Sequence, residues 1–203
     1  MSGFSQLMMR KKGESRIINM TKIGDVFVDN NYIASNFSDF NYFTLDITQY
    51  NVYTATTWEM QTKMFVEENS PDTAFVFNSP TDQRNFRFGI MDVNTSVFLT
   101  SRGSAWINTS SFSRAISSIN DKWVWFKFGY DNSRYYYISY SFDGINYTKL
   151  NMYYSTYKVN FTTIEYIGKP NRTSTVSTIR GYMLDLNETK LIKDGTVVWT
   201  ALS

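Results

Sequence analysis

Short stretches in which hydrophobic and polar residues alternate recur along most of the chain, and turn-forming residues separate them. The clearest single stretch is WEMQTKMFV at residues 58–66, which predicts a strand. Successive side chains of a strand point to opposite faces of a sheet. The stretch therefore places four side chains on one predicted face: Trp58, Met60, Thr62 and Met64.

Two longer alternating segments predict a β-hairpin in the middle of the chain. Residues 122–130 (KWVWFKFGY) and 134–142 (RYYYISYSF) flank the polar turn Asp131-Asn132-Ser133, which is a hairpin signature. The predicted core faces contain Val124, Phe126 and Phe128 on the first strand and Tyr136, Ile138, Tyr140 and Phe142 on the second. The opposite faces contain Trp123, Trp125 and Lys127 on the first strand and Tyr135, Tyr137, Ser139 and Ser141 on the second.

Turn signals at spacings of about 8–12 residues predict further antiparallel strands. Three of these turns are Asp29-Asn30-Asn31, Asp143-Gly144 and Asp194-Gly195, the last inside a predicted terminal hairpin. Two more strands are predicted over residues 161–167 and 179–186. The segment 110–120 is the one place where the pattern leaves room for a helical turn. Helices long enough for parallel crossover units are absent from the pattern, which favours an all-β sandwich or barrel.

The composition agrees with a β-rich chain and excludes several chemistries. Of the 203 residues, 18% are aromatic and 19% are charged, and the formal net charge is +2. Aromatic residues are enriched in strands, and the lack of a basic stripe argues against nucleic-acid binding. The chain contains no histidine and no cysteine. This excludes Ser-His-Asp triads, thiol nucleophiles, disulfides and zinc fingers.

Carboxylate chemistry remains, but the sequence lacks the spacing that it needs. A glycoside hydrolase requires two carboxyl groups about 5–9.5 Å apart. Glu67 and Glu68 are adjacent and point to opposite faces of a strand, and Glu59 has no acidic partner at even spacing. We therefore expect no catalytic residue, no metal site and no cofactor. A structural calcium ion at the loop residues Asp92-Val93-Asn94 or Asp131-Asn132 is left open.

Several short motifs follow one another in a consistent order. They are residues 32–37 (YIASNF), 41–45 (NYFTL), 57–60 (TWEM), 125–128 (WFKF), 137–144 (YISYSFDG), 181–186 (GYMLDL) and 193–199 (KDGTVVW). Together they resemble the concanavalin A-like (laminin-G-like) jelly-roll domains of phage particle proteins. The resemblance implies an all-β fold, a two-sheet antiparallel jelly-roll sandwich over residues 16–203 with a short N-terminal extension. It also implies that the last strands return to pair beside the first.

The same resemblance implies a non-enzymatic structural protein of a phage particle, such as a capsid decoration, a head fibre or a tail-associated protein. The start of the chain, Met8-Met9-Arg10-Lys11-Lys12, is similar to that of virion proteins in gut phages, including crAss-like ones. The implied location is the virion, assembled in the host cytoplasm, which the lack of cysteine fits. The expected partners are other capsid or tail proteins. The alternatives are a carbohydrate-binding adhesin and a glycoside hydrolase.

Residues 1–15 differ in composition from the rest and are interpreted as a separate segment. The segment is a disordered tail or a docking peptide in which Phe4, Leu7 and Met8 form one face of a short helix. The residues expected to dock on the particle are Phe4, Leu7, Met8, Met9, Arg10, Lys11 and Lys12. The apolar part is too short for a secretory signal. No stretch of the sequence is apolar over the roughly 20 residues that cross a bilayer, so we expect no membrane partner.

Aromatic side chains on the face opposite the predicted core form the candidate contact surface. Exposed aromatic patches usually mark interaction surfaces, and aromatic rings can stack on sugar rings. Three interpretations stay open: contact with another copy or another virion protein, cover by other parts of the chain, and binding of a cell-surface glycan. The candidate residues are Trp106, Trp123, Trp125, Lys127, Tyr135 and Tyr137.

Overall fold

The computed structural model describes residues 8–11, 14–25, 28–29, 32–33, 42–66, 73–78, 85–91, 96–102, 110–116, 119, 122–131, 135–154, 163–170 and 183–203. The first nine strands of this part are β1 (Met8–Lys11), β2 (Glu14–Ile17), β3 (Thr21–Ile23), β4 (Val28–Asp29), β5 (Tyr32–Ile33), β6 (Tyr42–Asp46), β7 (Trp58–Val66), β8 (Thr73–Asn78) and β9 (Asn85–Met91). The others are β10 (Ser96–Arg102), β11 (Ser110–Ala115), β12 (Lys122–Tyr130), β13 (Tyr135–Ser141), β14 (Thr148–Tyr154), β15 (Thr163–Pro170), β16 (Met183–Lys193) and β17 (Thr196–Thr200). Two single-turn 3-10 helices, Thr48–Tyr50 and Val52–Thr54, lie between β6 and β7.

Two antiparallel sheets form the body of the protein. The smaller has the strand order β11-β10-β9-β8-β15-β6-β3, and the larger has the order β14-β13-β12-β7-β16-β5-β4, with β17 paired to β16. β1 and β2 form a separate two-stranded sheet. The prediction of an all-β, two-sheet antiparallel sandwich is confirmed. In the described part of the chain, no helix is long and apolar enough to cross a membrane.

The core lies between the inner faces of the two sheets. The predicted inner face of β7 is buried, and so are Phe126 and Phe128 of β12. Phe88 of β9 reaches them from the opposite sheet. Its ring stacks on Phe128 with centroids 4.1 Å apart and planes 12° apart, and its centroid lies 5.4 Å from that of Phe126. These three rings join the sheets at the centre of the sandwich.

The predicted hairpins are present. β12 and β13 pair with Phe128 opposite Ile138, and both side chains are fully buried together with Tyr136. The pairs β4–β5 and β16–β17 also form at the predicted turns. The assignment of Phe142 to the core was wrong, because its side chain is 46% exposed. The reason is that β13 ends at Ser141, so the alternation that buries every second residue stops there.

The helical turn for which segment 110–120 left room is absent from the first half of that segment. Residues 110–115 form β11, which pairs antiparallel with β10, with Phe112 opposite Leu99. The segment has no clear hydrophobic period, so local pattern alone favours neither structure. Backbone pairing with β10 decides in favour of the strand, because it satisfies the polar groups of both strands.

The described part of the N-terminal segment forms a hairpin, so Met8 lies in a strand and not in the short helix of the docking interpretation. Met8 lies in β1 opposite Ile17 of β2. Phe4 and Leu7 lie outside the described residues. A helix of a few residues is unstable alone, whereas the hairpin pairs the backbone groups of two segments. The hairpin spans residues 8–17 and so crosses the predicted boundary between residues 15 and 16.

The two ends of the sandwich lie side by side, as the resemblance implied. Ile18 forms a β-bridge with Leu202, and the backbone N–H of Asn19 donates a hydrogen bond to the carbonyl of Ala201 at 3.0 Å. The indole N–H of Trp199 donates to the carbonyl of Asn19 at 3.2 Å. These bonds join the residues just before β3 to the end of β17 and the residues after it. Because β3 and β17 belong to different sheets, the bonds link one sheet to the other.

Asp143 organises the turn between β13 and β14. Its Oδ1 accepts hydrogen bonds at 2.8 Å from the backbone N–H groups of Asn146 and Ile145 and from the Ser141 hydroxyl. Its Oδ2 accepts one from the Asn146 side-chain amide. Because these donors stabilise the charged carboxylate, they hold the pKa of Asp143 well below its usual range. Gly144 follows with a φ of 74°, a left-handed conformation that suits glycine.

We expect Phe88→Ala to lower the free energy of unfolding by about 3–5 kcal/mol, because it leaves a cavity between the sheets. Urea unfolding followed by tryptophan fluorescence measures the change. Thr56→Ala, at an exposed position, is the matched control and should change the free energy by less than about 0.5 kcal/mol. Equal effects of the two substitutions would show that the ring contact does not join the sheets.

We expect Asp143→Asn to lower the melting temperature at pH 7. The carboxylate binds its proton less readily in the folded state than in the unfolded state. Its contribution to the free energy of unfolding is therefore complete above about pH 4. That contribution declines as the pH falls further, and the difference between wild type and variant should therefore narrow between pH 4 and pH 2. Thermal unfolding followed by circular dichroism tests this. Asp25→Asn, which removes an exposed carboxylate, is the control, and a difference independent of pH would refute the role of the charge.

Candidate functional site

The outer face of the larger sheet contains most of the aromatic residues singled out in the sequence. The term outer face refers to the side of β7, β12 and β13 that points away from the core. The strand registers arrange its side chains in three rows that run across these strands. From β7 to β13 they are Lys63, Trp125 and Ser141 (the tryptophan row), Gln61, Lys127 and Ser139 (the lysine row), and Glu59, Gly129 and Tyr137 (the cleft row).

The ammonium group of a lysine contacts the aromatic rings at the tryptophan row. The Nζ of Lys63 lies 4.3 Å from the ring centroid of Trp125 and 5.0 Å from that of Trp123. The same Nζ lies 3.5 Å from Oδ2 of Asp185 on β16. Phe65 completes the group with an edge contact to Trp123, at 5.7 Å between centroids. Cation–π and ionic contacts within the chain therefore engage the aromatic side chains at this end of the outer face.

The turn after β13 covers Trp125 from another side. A Cβ atom built on Gly144 would lie 3.1 Å from the indole ring, so the turn rests directly on it. Trp123 and Trp125 are both only partly exposed. Of the three interpretations of the aromatic surface, cover by other parts of the chain accounts for these two side chains.

The lysine row differs from the tryptophan row because all three of its side chains are polar. The Nζ of Lys127 lies 3.9 Å from the ring centroid of Tyr147. In the part of the chain that is described, no carboxylate forms an ion pair with Lys127. Burial raises the pKa of Tyr147, and the negative charges of Glu59, Glu188 and Asp143 raise it further. The Tyr147 phenol therefore stays neutral beside the lysine.

A cleft of about 280 Å³ lies at the end of the outer face. Next to the cleft, the lack of a side chain at Gly129 lets the backbone of β7 come close to β12. A Cβ atom at this position would lie 2.9 Å from the Cα of Glu59, and closer still to the carbonyl oxygen of Trp58. β7 and β12 can thus approach closely only with glycine at this point. The residues that line the cleft include Thr57, Glu59, Tyr130, Asp131, Tyr137 and Gly195.

Tyr137 and Glu59 meet across Gly129. The phenol of Tyr137 donates a hydrogen bond to Oε2 of Glu59, and the side-chain amide of Gln61 donates to Oε1 of Glu59 at 2.6 Å. Burial raises the pKa of Tyr137 far above its usual range, and the charges of Glu59 and Asp131 add to this effect. The phenol therefore stays protonated, and its O–H is committed to Glu59.

Asp131 and Lys149 form the other polar edge of the cleft. The Nζ of Lys149 lies 3.9 Å from Oδ2 of Asp131 and 4.5 Å from the ring centroid of Tyr137. The cleft thus combines carboxylate acceptors, an ammonium donor and tyrosine rings. Such groups can bind a neutral ligand rich in hydroxyl groups, because each hydroxyl both donates and accepts hydrogen bonds.

A larger cleft of about 610 Å³ lies where the two sheets meet, between β3, β6 and β17. Two of its lining residues, Asn19 and Trp199, bond across the seam between the sheets. The side-chain amide of Asn19 donates to the carbonyl of Thr200 at 3.0 Å, and the indole of Trp199 donates to the carbonyl of Asn19. Asp46 accepts the backbone N–H of Thr48 at 2.8 Å. We therefore assign this cleft to the sandwich seam and the smaller one to the candidate site.

The structure brings together Trp123, Trp125, Lys127 and Tyr137 of the sequence-predicted surface. For Tyr135 it gives only the backbone, in β13, and Trp106 lies outside the described residues. Of the predicted docking residues, Met8, Met9, Arg10 and Lys11 lie in β1, and Phe4, Leu7 and Lys12 lie outside the described residues.

Sequence reasoning missed the partners of the aromatic residues. Glu59 and Lys63 share the polar face of the predicted strand over residues 58–66, and the same alternation could have identified them. Tyr147 and Lys149 have no local signal. They reach the site because β14 pairs with β13 through a bulge between Ile138 and Ser139.

Acidic groups at the site are engaged by hydrogen-bond donors and cations. Among the described residues, no group of three or more acidic side chains could hold a metal ion. Asp92-Val93-Asn94, one of the two loops at which a calcium ion was left open, lies outside the described residues, as does Asn132 of the other. Asp131 has Lys149 as a neighbour, and both oxygens of Glu59 accept hydrogen bonds.

No protein-family model matches the chain, and no curated protein sequence matches it. Solved structures of similar fold include the binding domain of botulinum neurotoxin serotype D, with a TM-score of 0.64 and 9% identity over 92% of this chain and 47% of that one. The binding domain of botulinum neurotoxin DC in complex with SialylT has a TM-score of 0.60 and 10% identity, and the match covers 96% of this chain and 48% of that one.

A third similar structure concerns botulinum neurotoxin type C, whose cell entry is described as dependent on interaction with two ganglioside molecules. It has a TM-score of 0.56 and 13% identity over 96% of this chain and 48% of that one. This chain spans about half the length of each of these structures. At such identities the likeness shows the fold alone, which is a β-sandwich shared with receptor-binding domains of toxins.

Proposed function

We propose that the protein is a carbohydrate-binding module whose site is the cleft at the Tyr137 end of the outer face. The observation that carries the proposal is the convergence of Glu59, Asp131 and Tyr137 on one open cleft, with Lys149 at its edge. This is the carbohydrate-binding alternative of the sequence analysis, moved from the tryptophans to the tyrosine end of the same face.

The lining of the cleft combines apolar surface, from residues that include Trp58 and Ile192, with carboxylate groups, and a sugar ring presents both apolar faces and hydroxyl groups. Carboxylate oxygens accept hydrogen bonds from sugar hydroxyls, and bonds to a charged acceptor are stronger than those between neutral groups. Asp131 and Glu59 supply such acceptors, and Lys149 supplies a donor. The ring of Tyr137, which is partly exposed, adds flat apolar surface beside these polar groups.

The names of the similar structures give independent support. One names gangliosides, which are glycolipids, and another is a complex with SialylT. They are binding domains, and this chain contains neither histidine nor cysteine. The hydrogen bond between Tyr137 and Glu59 also favours recognition over hydrolysis, because it commits one oxygen of the carboxylate to a structural contact.

We expect the wild-type protein to bind a subset of glycans on an array, and Glu59→Gln to weaken that binding about tenfold. The substitution keeps the shape of the side chain but removes the charged acceptor, which costs the energy difference between a charge-assisted and a neutral hydrogen bond. Asp25→Asn, which removes an exposed carboxylate of the loop after β3, is the matched control and should bind like wild type.

Melting temperatures of both variants separate loss of binding from loss of folding. If the wild type binds no glycan, the carbohydrate proposal fails. If Glu59→Gln binds as well as wild type, the cleft is not the site.

We also propose, as a second function, that the hairpin formed by β1 and β2 attaches the protein to a phage particle. The resemblance in the sequence motivates this proposal. Its structural support is that the hairpin is a sheet separate from both sheets of the sandwich. Arg10 and Lys11 lie in β1, opposite Ser15 and Glu14. In this proposal the sandwich projects from a virion, and the cleft contacts a cell-surface glycan.

Deletion of residues 2–12 should leave the melting temperature of the sandwich within a few degrees of wild type but prevent incorporation into particles. The reason is that β1 pairs with β2 alone among the described strands. Immunoblots of purified particles measure incorporation. A full-length variant with Arg10, Lys11 and Lys12 replaced by Gln tests whether charge alone is required. Normal incorporation of the deletion variant would eliminate the attachment role.

A further inference from the structure

We propose that Lys127 binds an anionic group of the glycan, a carboxylate or a sulfate, on the sugar next to the one in the cleft. The inference rests on the proposed function and adds to it the class of ligand. Its basis is the charge distribution of the outer face, in which one of three central lysines lacks an acidic partner.

The three lysines differ in their neighbours. Lys63 lies 3.5 Å from Asp185, and Lys149 lies 3.9 Å from Asp131. Lys127 has only the ring of Tyr147, at 3.9 Å, among the contacts of the described residues. An ammonium group over an aromatic ring still has N–H donors directed away from the ring. Lys127 is therefore the cation best able to accept an external anion.

Among the described residues, none of the nearby carboxylates forms an ion pair with Lys127. Both oxygens of Glu59 accept hydrogen bonds, from Tyr137 and from Gln61. The oxygens of Asp143 are occupied within its own turn. Glu188 acts on Tyr147 through its charge without forming an ion pair with Lys127. In the described part of the chain, Lys127 thus has no fixed counter-ion, and its ammonium group is available to an external anion.

The geometry places Lys127 at the right distance from the cleft. Lys127 and Gly129 are two residues apart on β12, which corresponds to about 7 Å along the strand. This is roughly the separation of neighbouring sugar units. The rest of the lysine row, Gln61 and the small Ser139, is neutral. A sugar in the cleft can therefore extend along the outer face without meeting a negative charge in that row.

The test uses an array that contains each neutral core, such as lactose, together with its sialylated and its sulfated form. We expect the wild type to bind charged forms at least about tenfold more tightly than neutral ones. Lys127→Gln should remove that preference and leave binding of the neutral cores unchanged, whereas Lys127→Arg should keep it. Lys122→Gln, at an exposed lysine at the start of the same strand, is the matched control and should behave like wild type.

The sialylated and sulfated arms identify the anion, since preference for one of them assigns a carboxylate or a sulfate to the site. The preference should also shrink as the salt concentration rises, because salt screens exposed charges. Equal binding of charged and neutral forms by the wild type would overturn the inference while the proposed function stands. A preference that persists in Lys127→Gln would overturn it too. Binding of no glycan at all would overturn the proposed function and this inference together.

Discussion

The stacking of Phe88 on Phe128 is the contact on which the rest of the sandwich depends. It brings β9 of one sheet against β12 of the other, with Phe126 beside it and no water-accessible surface left on any of the three rings. Because β12 lies in the middle of the larger sheet, its inner face is held in place by this packing. The outer face of the same strand then presents its side chains from a rigid base, which a binding site needs.

The outer face is shaped as much by small residues as by large ones. Gly129 lets β7 and β12 approach closely, and Tyr137 bonds to Glu59 across it. Large rings at the other end have the opposite effect, because Trp123 and Trp125 surround Lys63 and fill the surface. One face therefore has a closed, stabilising end and an open end suited to a ligand.

The similarity to toxin binding domains concerns the sandwich and not the site. Identities of 9–13% leave the side chains free to differ, and a fold of this kind can support many functions. The case for carbohydrate binding rests on the groups that meet at the cleft, with the names of the similar structures as support. The phage interpretation also does not rest on the similar structures. It depends on sequence motifs and on the separate N-terminal hairpin.

By itself, the sequence determined which segments are strands and which side chains of the central hairpin face the core. These features depend on a period of two residues and on turn residues, and both are local. The exceptions, which are Phe142, residues 8–17 and residues 110–115, lie where local pattern is weak or where a strand ends. The tertiary structure alone decided what covers the tryptophans and where the cleft opens. Tyr137 and Glu59 are 78 residues apart, and Lys63 meets Asp185 only because β7 pairs with β16. Pairing between distant strands depends on the packing of the whole sandwich, so no local pattern encodes it.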